Sequence, residues 1–274
     1  MAEGKGQGSA SKMSPETPIL RRRMKAFLRS LGRDAYRRRL EPMLQAEIPP
    51  SAIVHYGLPA YKKYQFRKDG LFLKRLRKLA AVPRRRRLIQ HEDYIRLGTF
   101  QEMETWRFLD ELWRAGLDYR QVDRYREFSR RLGRGEVIRL PSKRRRITSS
   151  AELDAYFEDY VLLLVSMRDH GYLAGKSKDR ITILIDRDGS ILKETKGRHR
   201  LAAAQVVGAP SVPVRISHVH AAWVDAQAGT GGPSLSRMEM TRRAIARTLA
   251  SVGAVVPRDE GGDSGSGEAR SGKP

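Results

Sequence analysis

Apolar residues return at helical spacing in some stretches of the chain and at strand spacing in others. Between Ser14 and about Gln45, Pro15 and Pro18 lead into a segment whose Ile19, Met24, Phe27, Leu28 and Leu31 recur every three or four residues, with arginines on the other face. That pattern predicts a basic amphipathic helix. A second basic helix is predicted over 71–81, where Pro83 stops it. Thr99 or Gln101 is expected to open a third, carrying Met103, Trp106, Leu109 and Trp113 to Gly116. A fourth runs from about Arg120 through Val122, Tyr125, Phe128 and Leu132 to Gly133. The last two form a helical hairpin with aromatic knobs.

The pattern changes near Ser149 and Ser150. Ser150 is an N-cap candidate for a helix from Ala151 to about His170, with Leu153, Phe157, Val161, Leu164 and Met167 on one side and Gly171 ending it. The run Ile181-Thr-Ile-Leu-Ile185 reads as a strand, Asp186-Arg-Asp-Gly189 as a tight turn, and Ser190 to about Glu194 as the antiparallel mate. Gly197 then precedes a helix that Gly208 and Pro210 terminate, and Val212-Pro-Val-Arg-Ile216 returns as a strand. A final helix is predicted over 234–251, capped by Ser234 or Ser236, with Met238, Ile245 and Leu249 on one stripe. No period of 20–50 residues repeats, which argues against a solenoid. The predicted class is α+β, a helical N-terminal region followed by a small α/β domain. Its expected divisions are 1–13 as a disordered tail, 14–148 as a basic and mainly helical region, 149–223 as the α/β domain, 224–256 as the C-terminal helix and 257–274 as a second disordered tail. The two tails are small, polar and without aromatics, so they cannot bury enough surface to offset the entropy of ordering.

Composition sharpens this division. With 40% hydrophobic residues in a chain of 274, a real core is affordable. The formal charge is +23, and it is uneven: residues 1–150 hold 37 basic and 16 acidic groups, a net of +21, against 17 and 15, a net of +2, in 151–274. Arg84, Arg85, Arg86 and Arg87 form one polybasic cluster, Lys143, Arg144, Arg145 and Arg146 another, and Arg21–Arg23 a third. They point to an anionic partner for the front half, whether nucleic acid, anionic lipid or glycan, or else to a solvated basic surface. The chain has no cysteine, which removes disulfides, thiolate metal sites and cysteine nucleophiles together. No apolar run approaches the roughly 18 residues of a membrane helix, so no transmembrane segment is expected. The expected location is the cytoplasm, with the basic helix around 21–40 also suited to lying on an anionic membrane.

The chemistry concentrates at Lys196-Gly197-Arg198-His199-Arg200. A basic glycine turn that feeds a helix N-terminus suits anions, because unpaired backbone N–H groups and the positive end of the helix dipole meet there. Guanidinium adds a bidentate match to phosphate. The plainer alternative is ordinary capping with solvated charge. Asp186 and Asp188 fit a hairpin turn whose side chains bond the local backbone, while Glu194 falls two residues before Lys196 and is expected on the same strand face. Lys176 and Lys178 belong to a loop that either overhangs the phosphates or is simply solvated. His218 and His220 have a metal-compatible spacing without further ligands in view, so no metal site is assigned. Trp106, Trp113 and Trp223 suit core packing better than base stacking.

The order helix, strand, Asp-Gly turn, strand, Gly-x-His-Arg helix and Val-Pro-Val strand over 150–216 resembles the ParB/sulfiredoxin superfamily of nucleotide-binding domains. Leu163-Leu-Val-Ser-Met-Arg-Asp-His-Gly171 is similar to its Ser-Ile-x-x-x-Gly box, and Lys196-Gly-Arg-His-Arg-Leu-Ala-Ala-Ala204 to its Gly-x-His/Arg-Arg-x-x-Ala box. More widely, residues 90–223 look like an uncharacterised prokaryotic group of ParB-like proteins with a helical region ahead of the domain. The resemblance implies nucleotide phosphates held by Gly197, His199 and Arg200, with Lys196 and Arg198 adding charge and the Ser166 hydroxyl beside them. It implies ATP or CTP with Mg²⁺ as cofactor. One departure stands out: Lys196 occupies the position where those proteins usually have Asp, and Glu194 becomes the candidate catalytic carboxylate.

Three functions follow from these residues. The first is a nucleotide-binding protein acting as a phosphotransferase on a small molecule or glycan precursor, by positioning and charge neutralisation. Sulfiredoxin activity is excluded, because it needs a cysteine. The second is a DNA-binding partition-type protein, which requires a helix-turn-helix, whereas 217–256 has room for one short helix. The third is a non-catalytic adaptor that docks on a polyanion or membrane surface, a reading that suits Lys196.

Overall fold

The structure, a computed structural model, describes residues 36–60, 87–140, 146–173, 180–228 and 235–255. The fold is α+β. Its centre is a mixed sheet of seven strands in the order β1-β9-β7-β8-β2-β4, with β3 beside β9. The strands are β1 (Gln45–Ile48), β2 (His55–Pro59), β3 (Ile89–Gln90), β4 (Tyr94–Thr99), β7 (Ile181–Ile185), β8 (Ile191–Lys193) and β9 (Val212–His220). A separate two-stranded ribbon pairs β5 (Ile138–Arg139) with β6 (Arg146–Ile147). The helices are α1 (Glu104–Arg114), α2 (Asp123–Gly133), α3 (Ser150–His170), α4 (Arg198–Val206), α5 (Ala221–Asp225) and α6 (Arg237–Ser251).

The back half follows the sequence pattern closely. β7 and β8 are antiparallel across the Asp186–Gly189 turn, and β9 runs parallel to β7 after the α4 crossover. All five residues of β7 are buried, so both faces of that strand are covered. This matches its uninterrupted apolar run. The N-cap of α3 is Ser149, one residue before the expected Ser150: the Glu152 N–H donates to Ser149 Oγ at 3.3 Å. Gly171, at φ 65°, ends α3 as expected. Ser236 caps α6, and Ile245 and Leu249 are buried on its inner stripe.

The front half contributes more than helices. Its hairpin is present as α1 and α2, each preceded by a 3₁₀ turn, Phe100–Glu102 and Tyr119–Gln121. Residues 36–40 are helical, but the chain leaves that helix at a 3₁₀ turn, Glu41–Leu44, and enters β1. β1 lies antiparallel to β9, and β2 joins β8 in parallel and β4 in antiparallel register. One contiguous core therefore runs from Leu40 through Phe108, Phe157 and Ile183 to Leu249. The remainder of the predicted 14–45 helix and the helix over 71–81 lie outside the described residues.

Phe157, fully buried on α3, fastens the hairpin to the sheet layer. Its ring meets Phe108 of α1 at 5.7 Å edge-on, Tyr125 of α2 at 5.2 Å edge-on and Tyr119 at 5.9 Å in a stacked arrangement. Such pairs contribute about 0.5–1.5 kcal/mol each beyond the burial of their area. Trp106, Trp113 and Trp223 all pack, partly buried, against the core. Among the described residues no helix is long and apolar enough to cross a membrane.

Candidate functional site

The Gly-x-His-Arg segment forms the turn between β8 and α4. Gly197 has φ 77° and ψ 23°, the left-handed conformation that glycine adopts without steric cost. Space also demands glycine here, because a Cβ would stand 2.8 Å from the Ile181 Cα and 3.0 Å from its Cγ1. The turn therefore sits directly on the first residue of β7.

Lys193, 1% exposed, holds this turn from below. Its Nζ donates to the carbonyl oxygens of Glu194 at 2.6 Å and Thr182 at 3.3 Å, and also to that of Lys196. The Glu194 N–H donates to Thr182 O at 3.0 Å, and the Thr182 N–H to Lys196 O at 3.4 Å. A buried ammonium needs hydrogen-bond partners to offset its desolvation, and three carbonyls supply them. Gly197 offers no side chain to cap α4, and the first turn of α4 holds no acidic residue. The positive end of the helix dipole lies at this turn.

The predicted residues around this turn fall into two groups. Lys196 and Arg198 are exposed, while His199 and Arg200 are half-buried against the back of α3. Arg200 Nη1 donates to the Tyr172 hydroxyl at 3.2 Å, and its Cζ lies 5.6 Å from the centre of that ring. The His199 ring is 5.7 Å from that of Tyr160 at a tilt of 45°. Tyr160 bonds in turn to Tyr156, hydroxyl to hydroxyl at 3.1 Å. Burial pushes the Tyr160 hydroxyl well above its ordinary pKa, and the bond to Tyr156 adds to this, so it stays protonated. Tyr156 and Tyr160 flank Phe157 on α3, so the aromatic cluster of the hairpin also sets the wall behind His199. The sequence pattern did not single out Tyr160 and Tyr172; their signal was an aromatic at the helix face packed on α4 and one just past Gly171.

Ser166 lies on α3, half-buried, and its hydroxyl makes no hydrogen bond among the described residues. Glu194 is 7% exposed and lies just past the end of β8, which stops at Lys193. Glu194 and Lys196 are therefore turn residues instead of neighbours on one strand face.

Comparison of the chain with protein-family models, curated proteins and solved structures finds no match.

The remaining candidates are placed elsewhere. Asp186 and Asp188 build the hairpin turn: Asp186 Oδ1 accepts the Arg187 N–H at 2.8 Å, and Asp188 Oδ1 accepts the Ser190 N–H at 2.9 Å. Arg96 of β4 clamps both, at 2.8 Å to Asp186 and 2.9 Å to Asp188. Burial opposes ionisation of Asp188, but the hydrogen bonds from the Ser190 hydroxyl and N–H and from Arg96 outweigh it and hold its pKa at about 2. His218 and His220 extend β9 beyond the predicted Ile216. His218 Nδ1 is 2.8 Å from Arg87 O, and His220 Nε2 is 3.1 Å from Asp93 Oδ1. Of the basic clusters, Arg87 and Arg146 are exposed. Arg21–Arg23, Arg84, Arg85, Arg86, Lys143, Arg144 and Arg145, and likewise Lys176 and Lys178, lie outside the described residues.

Proposed function

We propose that the chain binds a nucleoside triphosphate, ATP or CTP, with its phosphates on the turn at Gly197. The observation that carries this reading is the positive charge gathered at one end of α4: a helix N-terminus opened by Gly197, which brings no side-chain cap, Arg198 and Lys196 in solvent, and Arg200 braced by Tyr172. Such a set neutralises spread negative charge, and phosphate is the anion that guanidinium matches with two parallel bonds. The resemblance of the 163–171 and 196–204 segments to the ParB/sulfiredoxin boxes supports the same reading.

Mg²⁺ fits this donor set only as a companion of the nucleotide. Phosphate oxygens would supply most of its ligands and Glu194 the protein's carboxylate, and the ion would neutralise charge on the phosphates. Glu194 is also the group suited to accept the proton of an attacking hydroxyl, if a small molecule or glycan precursor receives the phosphoryl group. Arg200 and the α4 N–H groups would then hold the equatorial phosphate oxygens during transfer. The charge of the front half suits a second role, docking the protein on a polyanion.

Calorimetric titration of the full chain with ATP, CTP and GTP, each with and without Mg²⁺, tests the reading. Saturable binding of at least one triphosphate is expected, and it persists in Glu194→Gln. Absence of binding by all three would overturn it.

A further inference from the structure

The β5–β6 ribbon stands apart from the main sheet and sets two arginines against each other. Across its antiparallel register Ile138 pairs with Ile147 and Arg139 with Arg146. Side chains alternate along a strand, so the two pairs face opposite ways. Ile138 and Ile147 are 1% and 0% exposed and belong to the core, which fixes the inner face of the ribbon. Arg139 and Arg146, both exposed, share the outer face. Opposite residues of such a ribbon have Cα atoms about 4.5–5.5 Å apart, and like charges in that relation are destabilising. The two arginines that lead into the ribbon are neutralised, because Arg131 Nε donates to Glu136 Oε2 at 2.9 Å and Arg134 Nε to Glu136 Oε1 at 3.0 Å. Among the described residues, Arg139 and Arg146 pair with no carboxylate.

A like-charge pair that buried isoleucines hold in place is relieved by an anion beside the two guanidiniums. Each guanidinium matches a phosphate with two parallel bonds. Successive phosphates on one strand of a DNA duplex lie about 3.4 Å apart along the axis, a repeat that two long side chains rooted about 5 Å apart can span. Residues 1–150, which include the ribbon, hold 37 basic and 16 acidic groups, a net of +21. That surplus suits a polymer of phosphates, since each one neutralised releases a counterion. We propose that the outer face of the β5–β6 ribbon docks on the phosphate backbone of duplex DNA, where Arg139 and Arg146 each neutralise a phosphate and no base is read. This rests on the reading that the front half docks on a polyanion, and it is independent of any nucleotide at Gly197.

Anisotropy titration of the full chain against a short fluorescein-labelled duplex of arbitrary sequence, repeated across salt concentrations, tests this. The variants are Arg139→Gln, Arg146→Gln, the two together, Arg139→Lys, and Arg242→Gln, which removes the same charge from α6. Each ribbon arginine changed to glutamine is expected to reduce the logarithmic salt slope by about 0.9, and the double variant by about twice that. At moderate salt the double variant binds about tenfold or more weakly, whereas Arg139→Lys and Arg242→Gln stay within about twofold of the parent. The urea midpoint of Arg139→Gln does not fall, because the change removes a like-charge contact. Affinity lost only together with a lowered midpoint overturns the proposal, as does an equal loss in Arg242→Gln or an unchanged slope in the double variant. A parent that binds heparin or phosphatidylserine vesicles but no duplex overturns it while the polyanion reading stands. A parent that binds none of the three overturns both.

Discussion

The backbone of Gly197 lies so close to the first residue of β7 that a Cβ on it would stand 2.8 Å from the Ile181 Cα. Gly208, at the other end of α4, has a similar φ of 70° with nothing within 4 Å of a Cβ. The two glycines therefore separate the cost of conformation from the cost of contact. Gly208→Ala is expected to lose about 1 kcal/mol for the left-handed backbone. Gly197→Ala adds a clash with immovable backbone and loses roughly 1–3 kcal/mol more. Urea unfolding of the two variants beside the parent measures the difference. Equal midpoints would show that the turn does not rest on β7.

Phe157 ties α1, α2 and α3 together, so its removal acts on the whole layer. Phe157→Ala is expected to cost about 3–5 kcal/mol, the usual range for a buried aromatic, and Phe157→Leu markedly less. The check is the shift in unfolding midpoint for each. A cost for Phe157→Ala near that of a surface substitution would contradict the packing described.

The turn clamped by Arg96 gives the stability a defined acid limb. Asp188 has a folded pKa of about 2, below its ordinary 3.8, so ionisation of this group stabilises the fold above about pH 4. That contribution is lost as pH falls from about 4 towards 2, through the folded pKa. Its size is small, since both partners are partly solvated. Asp188→Asn should flatten the pH dependence of the unfolding midpoint in that window, lying slightly below the parent near neutrality and converging with it towards pH 2. An identical acid limb in the variant would remove Asp188 from the account.

The surplus charge of residues 1–150 predicts binding to polyanions with little regard for sequence and with steep salt dependence. Anisotropy titration with random duplex DNA and with heparin, repeated across salt concentrations, gives the slope. Neutralising Lys143, Arg144, Arg145 and Arg146 together should reduce the slope for DNA by up to about four, at about 0.9 per phosphate contact. An unchanged slope would assign the cluster to solvent.

Much of this architecture is legible in the pattern of residues, and the exceptions have physical causes. The Ile181–Ile185 run, the Asp-Gly turn and the Gly171 boundary carry strong local signals, and the structure follows them, while the helix expected to be capped by Ser150 is capped one residue earlier, by Ser149. β2 and β4 do not announce themselves. His55-Tyr-Gly-Leu-Pro59 contains a glycine and ends on a proline, and β4 is a strand at the end of the sheet order with two exposed residues, so neither shows clean alternation. β9 runs on to His220 because its two buried histidines find partners in Arg87 O and Asp93, which no local pattern discloses. The glycine turn could be read from Gly197 and its arginines. Its support by Lys193 and the Tyr172 brace on Arg200 arise from residues far apart in sequence, where periodicity gives no signal.

The central claim is that triphosphate binds at the N-terminal turn of α4. The most direct measurement follows the backbone amide signals of Arg198, His199 and Arg200 as ATP or CTP is added to the full chain, in the parent and in Arg200→Ala. The account predicts saturable shifts centred on these three amides and an affinity about tenfold or more weaker in Arg200→Ala, the loss expected for one charge-assisted contact of about 1.5–3 kcal/mol. Shifts centred elsewhere, or equal affinity in the two proteins, would contradict it.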